Sequence, residues 1–216
     1  MNLRRIYEYR FRDVEPGARA AVWSEIAGYL HKRLGRPERV LDPAAGLGEF
    51  IAACPAPERW AVDLVDHGIG RLDGVTTIIA PILEADLPER HFDLVFVSNL
   101  LEHLESPEQI AQLLARFREL LRPGGSVALM GPNFRYCARE YFDCADHVLA
   151  LTHVTVAEHL YGAGFEVTDT VSRFLPYSFR SSLPASPLLA RRYLHSPPLW
   201  RLLGKQFLVV GRPALD

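Results

Sequence analysis

Residues 40–50 read VLDPAAGLGEF. Val40 and Leu41 are apolar, Asp42 is an acid, and a run of small residues follows. That order describes a buried strand that ends at a carboxylate and turns sharply into a helix. Ala44, Gly46 and Gly48 stand at alternate positions, so the backbone of the turn can come close to a ligand. A dinucleotide fingerprint would read G-x-G-x-x-G with glycine straight after the strand. Here Asp42 comes first and the spacing is A-x-G-x-G. A carboxylate there repels a pyrophosphate and suits a ligand that carries an amine or a positive charge.

Outward from this turn, strand-like runs follow at 39–42, 59–64, 75–79, 92–97, 126–130, 165–171 and 206–211. Helical or loop segments separate them. Alternating strands and helices imply crossover connections and a mostly parallel, doubly wound α/β sheet. The early strands are almost wholly apolar, as strands covered on both faces are. Residues 17–35 carry apolar residues at helical spacing. Ser106-Pro107-Glu108-Gln109 opens a helix with a serine cap and a proline in the first turn. Thr155 is expected to open another helix in the same way.

The 216 residues suit one domain, with 49% hydrophobic residues, 23% charged residues and a net charge of −2. That balance lacks the basic footprint of a nucleic-acid binder. The apolar runs are too short to span a bilayer, and MNLRRIYEYRFRD has no apolar signal core. A cytoplasmic location is therefore expected. Cys54, Cys137 and Cys144 form no CxxC pair and read as reduced thiols. From Thr170 to Leu215 there is no Asp or Glu but seven Lys/Arg. This marks a basic helical insertion at 173–205, a lid or a docking surface. A helical cap over 1–37 and a core sheet over 38–172 and 206–212 complete the single domain expected for 1–216.

In such a sheet, ligands bind at the carboxyl ends of the strands. Asp63 closes the second strand 21 residues after Asp42, where a carboxylate can accept from both ribose hydroxyls. Asp86 follows the third strand and suits an adenine amino group. The fourth strand ends in Ser98-Asn99, and its loop carries Glu102 and His103.

Asp42, Gly46, Gly48, Asp63, Asp86-Leu87, FDLVFVSNLLEHL and LRPGGSVALM together resemble the class I S-adenosylmethionine-dependent methyltransferases, of the methyltransferase type 11 kind. Ala44 stands where the family has its first glycine. The resemblance covers roughly 38–170 plus the last strand. It implies a Rossmann-like, seven-stranded, mostly parallel sheet with an antiparallel last strand. It also implies S-adenosylmethionine as donor, S-adenosylhomocysteine as product, and a donor site at Asp42, Ala44, Gly46, Gly48, Asp63, Leu64, Asp86, Leu87, Ser98 and Asn99. The segment YCAREYFDCADHVLALTHVTVAEHLYGAGFEV is similar to bacterial methyltransferases found with surface-glycan and secondary-metabolite enzymes.

The expected reaction is O- or N-methylation of a small-molecule or saccharide-type acceptor, anionic if the basic insertion recognises it. His103 is either a general base or a loop-orienting residue. Asp146-His147 is either an oriented base or a helix cap with a surface histidine. Tyr136 and Tyr141 are expected to wall the acceptor, while Tyr7, Tyr9 and Arg10 fold over the donor. Asp143, Asp146, His147 and His153 match no common metal motif, so no metal is expected. Leu199, Trp200, Leu202 and Leu203 beside Arg201 and Lys205 allow contact with a membrane surface. A monomer or homodimer is expected. The competing functions are a nicotinamide-dependent oxidoreductase and a binding module without turnover.

Overall fold

The computed structural model describes residues 3–12, 15–177 and 186–214. Seven strands form one sheet in the order β3-β2-β1-β4-β5-β7-β6. They are β1 (Arg39–Asp42), β2 (Glu58–Asp63), β3 (Thr76–Ile79), β4 (Phe92–Ser98), β5 (Leu121–Pro132), β6 (Phe165–Val171) and β7 (Gln206–Pro213). The first five run parallel. β7 is antiparallel to both of its neighbours, so the sheet has the expected class. The order reverses between β1 and β4, and the loops leaving those two strands flank the crevice at their carboxyl ends.

The alternation of side chains along the central strands divides the interior in two. Leu41, Val95, Val97, Val127 and Leu129 face one core, with α4 (Pro107–Leu120) and α6 (His153–Gly162) packed over it. Val40, Leu94, Phe96, Ala128 and Met130 face the other. That second core is covered by α2 (Pro16–Arg33), α3 (Glu49–Ala53), α7 (Pro187–Leu194) and α8 (Pro197–Leu203). Strands buried on both faces need apolar residues at every position, which explains their unbroken hydrophobic runs.

The helix caps show how local chemistry sets these boundaries. Ser106 Oγ accepts from Gln109 N at 3.4 Å, as its position predicts. The second capped helix begins earlier than expected. Thr152 is its cap, accepting from Thr155 N at 3.2 Å, while the Thr155 hydroxyl accepts from Thr152 N at 2.9 Å. Thr155 thus belongs to the capping box as its third helical residue. In β5, pairing starts at Leu121, skips Pro123-Gly124-Gly125 and resumes at Ser126. The sequence reads only the second half as strand, because proline and glycine interrupt the ladder.

The described parts of the 173–205 segment, residues 173–177 and 186–205, form a packed layer. Trp200 sits edge-on to Tyr29 and Phe174, and its indole donates to Tyr193 O at 2.8 Å. Tyr193 in turn donates to Phe174 O at 2.6 Å. Trp200 is buried, so it cannot anchor a membrane contact; Leu202, 70% exposed, and Leu188 remain on the outside. Among the described residues, no helix is long and apolar enough to cross a membrane.

Candidate active site

The motif turn joins β1 to α3. Gly46 (φ 56°) and Gly48 (φ 74°) adopt left-handed backbone, whereas Ala44 does not. The Ala44 methyl therefore stands where no positive φ is required, and the departure from the family pattern brings no backbone strain. A side chain at Gly48 would come within 2.6 Å of Leu72. Ala45 N donates to Val62 O at 3.0 Å, which stitches the turn to the second strand.

Asp42 and Asp63 meet here. Asp42 is 3% exposed, and its Oδ1 accepts a 3.4 Å bond from Ala44 N. Burial pushes its carboxyl up to about 7; the Ala44 bond opposes that and the nearby Asp63 adds to it. Asp63 accepts from Gly46 N at 2.7 Å and from Val65 N at 3.0 Å, one bond per oxygen. Each oxygen keeps further lone-pair capacity. Asp86 is exposed beyond β3 on the same edge, held between the buried Ala85 and Leu87. Leu64 is exposed. An under-partnered buried carboxylate beside a half-free one, around a turn of small residues, fits a nucleoside that carries a cationic amino-acid arm.

On the far side of the crevice, β4 ends in Ser98. Asn99 takes a left-handed conformation (φ 52°), one that asparagine tolerates, and its amide donates to Ser98 Oγ at 2.9 Å. The next turn presents Glu102 and His103. His103 Nδ1 donates to the Asp146 carbonyl at 2.8 Å. This bond fixes the tautomer and leaves Nε2 with its lone pair, 3.9 Å from Glu102 Oε1. Asp146 thus orients His103, where the sequence suggests His147. The Asp146 carboxylate pairs with the Arg10 guanidinium from α1 (Leu3–Phe11). Burial alone would raise that carboxyl, but His103 and Arg10 hold it below the usual carboxylate range.

His147 stacks edge-on against His103 and Tyr141, with ring centroids 4.9 and 4.8 Å apart. Burial, and after it the proximity of His103, pushes its imidazole down to about 4. Its Nδ1 is buried without a hydrogen-bond partner. Tyr141 is wholly buried and its hydroxyl donates to Leu149 O at 2.6 Å. It props up His147 instead of walling an open pocket. Tyr136 is half-buried, with the Arg173 guanidinium 4.8 Å from its ring centre. Tyr9 is 64% exposed with Arg12 against its ring, and the Arg10 guanidinium is engaged by Asp146. The Tyr7 side chain lies outside the described residues.

Sequence reasoning passed over Glu102 as a site residue. It is 2% exposed, its Oε1 has no hydrogen-bond partner, and burial raises its carboxyl. Its position beside His103, just past the strand at the switch point, was the available signal.

The methyltransferase-domain family matches residues 16–170. A chain of Salinispora arenicola, named as a probable non-canonical nonribosomal peptide synthetase, CymA, is 26% identical over 231 residues. The match takes in 90% of this chain and spans about 3% of that protein's length. Among solved structures, a SAM-dependent methyltransferase of Archaeoglobus fulgidus superposes with TM-score 0.64 at 19% identity, covering 97% of this chain and 99% of that one. The Burkholderia thailandensis 1,6-didemethyltoxoflavin-N1-methyltransferase, bound to its substrate and S-adenosylhomocysteine, gives TM-score 0.59 at 24% identity, covering 99% and 88%. With the motif turn, the paired acids and this match over most of its length, the chain belongs to the methyltransferase-domain family and is an S-adenosylmethionine-dependent methyltransferase.

Proposed function

We propose that this methyltransferase acts on a hydroxyl or amine of a small-molecule acceptor, saccharide-type acceptors included, seated between the motif turn and the His103–His147 pair. The observation that carries this reading is the oriented imidazole. Asp146 O engages Nδ1 of His103, so Nε2 keeps its lone pair, on the half-buried turn that follows β4 at the carboxyl end of the sheet. Asp42 would hold the cationic arm of the donor, and Asp63 would accept the ribose hydroxyls through its unused lone pairs. The donor supplies an already activated methyl on sulfonium sulfur. What remains for the chain is to align the acceptor, which can contribute several kcal/mol to the rate, and to relieve it of a proton. In the chain as described, His103 Nε2 is where that proton goes. His147 stays neutral at physiological pH, with its value near 4, and shapes the pocket.

A structural neighbour that binds 1,6-didemethyltoxoflavin supports a small molecule as acceptor. The exposed Arg192 and Arg201 of the helical layer favour an acceptor with anionic groups. His103→Ala should lower turnover at saturating donor by about 10²–10⁴-fold on a hydroxyl acceptor, with S-adenosylhomocysteine affinity kept. His147→Ala should fall less. Unchanged turnover in both variants would remove the base assignment.

A further inference from the structure

Glu102 and His147 each bury an acceptor atom that receives no hydrogen bond, and His103 Nε2 lies 3.9 Å from the one on Glu102. Glu102 Oε1 is buried and receives no hydrogen bond. His147 Nδ1 is buried and likewise unpartnered. His103 Nε2 is left with its lone pair because Nδ1–H is spent on the Asp146 carbonyl. One carboxylate oxygen of Glu102 and one ring nitrogen of each histidine lie within 4.8 Å of one another. Lone pairs crowded together repel each other, and a buried carboxylate oxygen that receives no hydrogen bond is unfavourable. A proton relieves only one pair of them. A single cation relieves all three.

We propose that Glu102, His103 and His147 form a binding site for one divalent transition-metal cation, with a fourth coordination position open toward the acceptor. Two imidazoles and one carboxylate are a donor set suited to zinc and its neighbours and ill suited to magnesium, which prefers oxygen alone. Three protein ligands plus an open position is the arrangement of catalytic zinc. The surroundings fit as well. A metal-bound histidine ordinarily donates its other N–H to a carbonyl or carboxylate, which fixes its orientation; His103 does so to Asp146 O at 2.8 Å. The ligand atoms must draw together on binding, and Glu102 sits on the short turn that follows β4 while His147 sits in the segment beyond β5. The Val148 and Leu149 amides both bond Glu102 O, at 2.8 and 3.1 Å, so these two segments are tied to each other.

This deepens the proposed function and rests on it for its catalytic consequence. An acceptor hydroxyl bound at the open position would have its pKa lowered by the cation and release its proton to solvent, leaving the oxygen lone pair to attack the methyl. Histidine then acts as ligand, and proton removal no longer depends on a free imidazole. The acceptor class narrows to one with an ionisable oxygen.

The test is a titration of chelator-treated full-length protein with Zn²⁺ against a chromophoric competitor. One equivalent should bind, and His103→Ala, His147→Ala and Glu102→Gln should each weaken it by about 10-fold or more. Mg²⁺ should not compete. Cys144→Ala should leave affinity unchanged, because Cys144, Asp146 and His147 form a rival cluster on the same histidine. S-adenosylhomocysteine binding by each variant reports that the fold is kept. Absence of a one-to-one site, indifference to Glu102→Gln and His103→Ala, or loss on Cys144→Ala would overturn the proposal. Chelator-treated protein that keeps full methyl transfer would overturn the catalytic part and leave the methyltransferase reading standing. Zinc binding in a protein that fails to bind S-adenosylhomocysteine would do the reverse.

Discussion

At the end of β1, Asp42 keeps a carboxylate in a place where water hardly reaches it and only one long bond supports it. Its proton affinity is raised to about 7 by burial. A folded-state value above the unfolded one means that the folded chain binds the proton more tightly. Stability contributed by this group is therefore present below pH 4 and is lost as pH rises toward 7. Asp42→Asn should stabilise the ligand-free protein at pH 8, by about 1–2 kcal/mol, and should weaken S-adenosylhomocysteine binding. Denaturant melts with and without the nucleoside check both signs; an asparagine variant that is less stable would mean the carboxylate is better satisfied than its geometry indicates. His147 shows the opposite sign in a base. Its imidazole value near 4 lies below its ordinary 6.5, so the unfolded chain takes up the proton first. Stability should decline as pH falls from about 6.5 to 4, and His147→Gln should flatten that decline in melts across the window.

At the scale of elements, the boundaries that matter are held by single hydroxyls. Thr152 and Thr155 share two backbone amides at the start of α6, and this helix closes the core beneath β6 and β7. Thr152→Ala should cost about 1 kcal/mol, a fall of roughly 2–4 °C in Tm for a chain of this size. Thr155→Ala should do less, since the Thr152 cap on the Thr155 amide survives it. Equal losses would mean the reciprocal bond matters as much as the cap. The loop after β4 is a second such element. Its turn exists because Asn99 can take a left-handed conformation, and the bend leads into the buried Glu102 and the half-buried His103.

Across the whole molecule, the helical layer at 187–203 is an integral wall of the second core. Tyr29, Phe174 and Trp200 lock it to α2 through edge-on ring contacts, and Arg191 bonds Glu25 at 3.0 Å. Trp200→Ala should destabilise the protein by about 3–5 kcal/mol, measurable by urea unfolding with unchanged slope. A loss under about 1 kcal/mol would mean the layer folds apart from the core. Arg10 makes a comparable long-range link, tying α1 to Asp146 and so to His103.

The α/β class, the seven strands and the small-residue turn after β1 were legible in the sequence because each is a local fact. An apolar run ending in Asp42, small residues at alternate positions and an acid at the next strand tip are fixed by backbone sterics and periodicity within a few residues. That β7 runs antiparallel could be read only by resemblance, and the skipped Pro123–Gly125 in β5 hid its first pairing. Which histidine Asp146 orients, that Arg10 serves Asp146, that Tyr141 is a buried prop and that Glu102 joins two imidazoles were decided by tertiary structure alone. Those relations cross from the β4 loop to the segment after β5 and to the N-terminal helix. Through-space distances between such segments depend on how the sheet twists and packs, and no spacing along the chain encodes them.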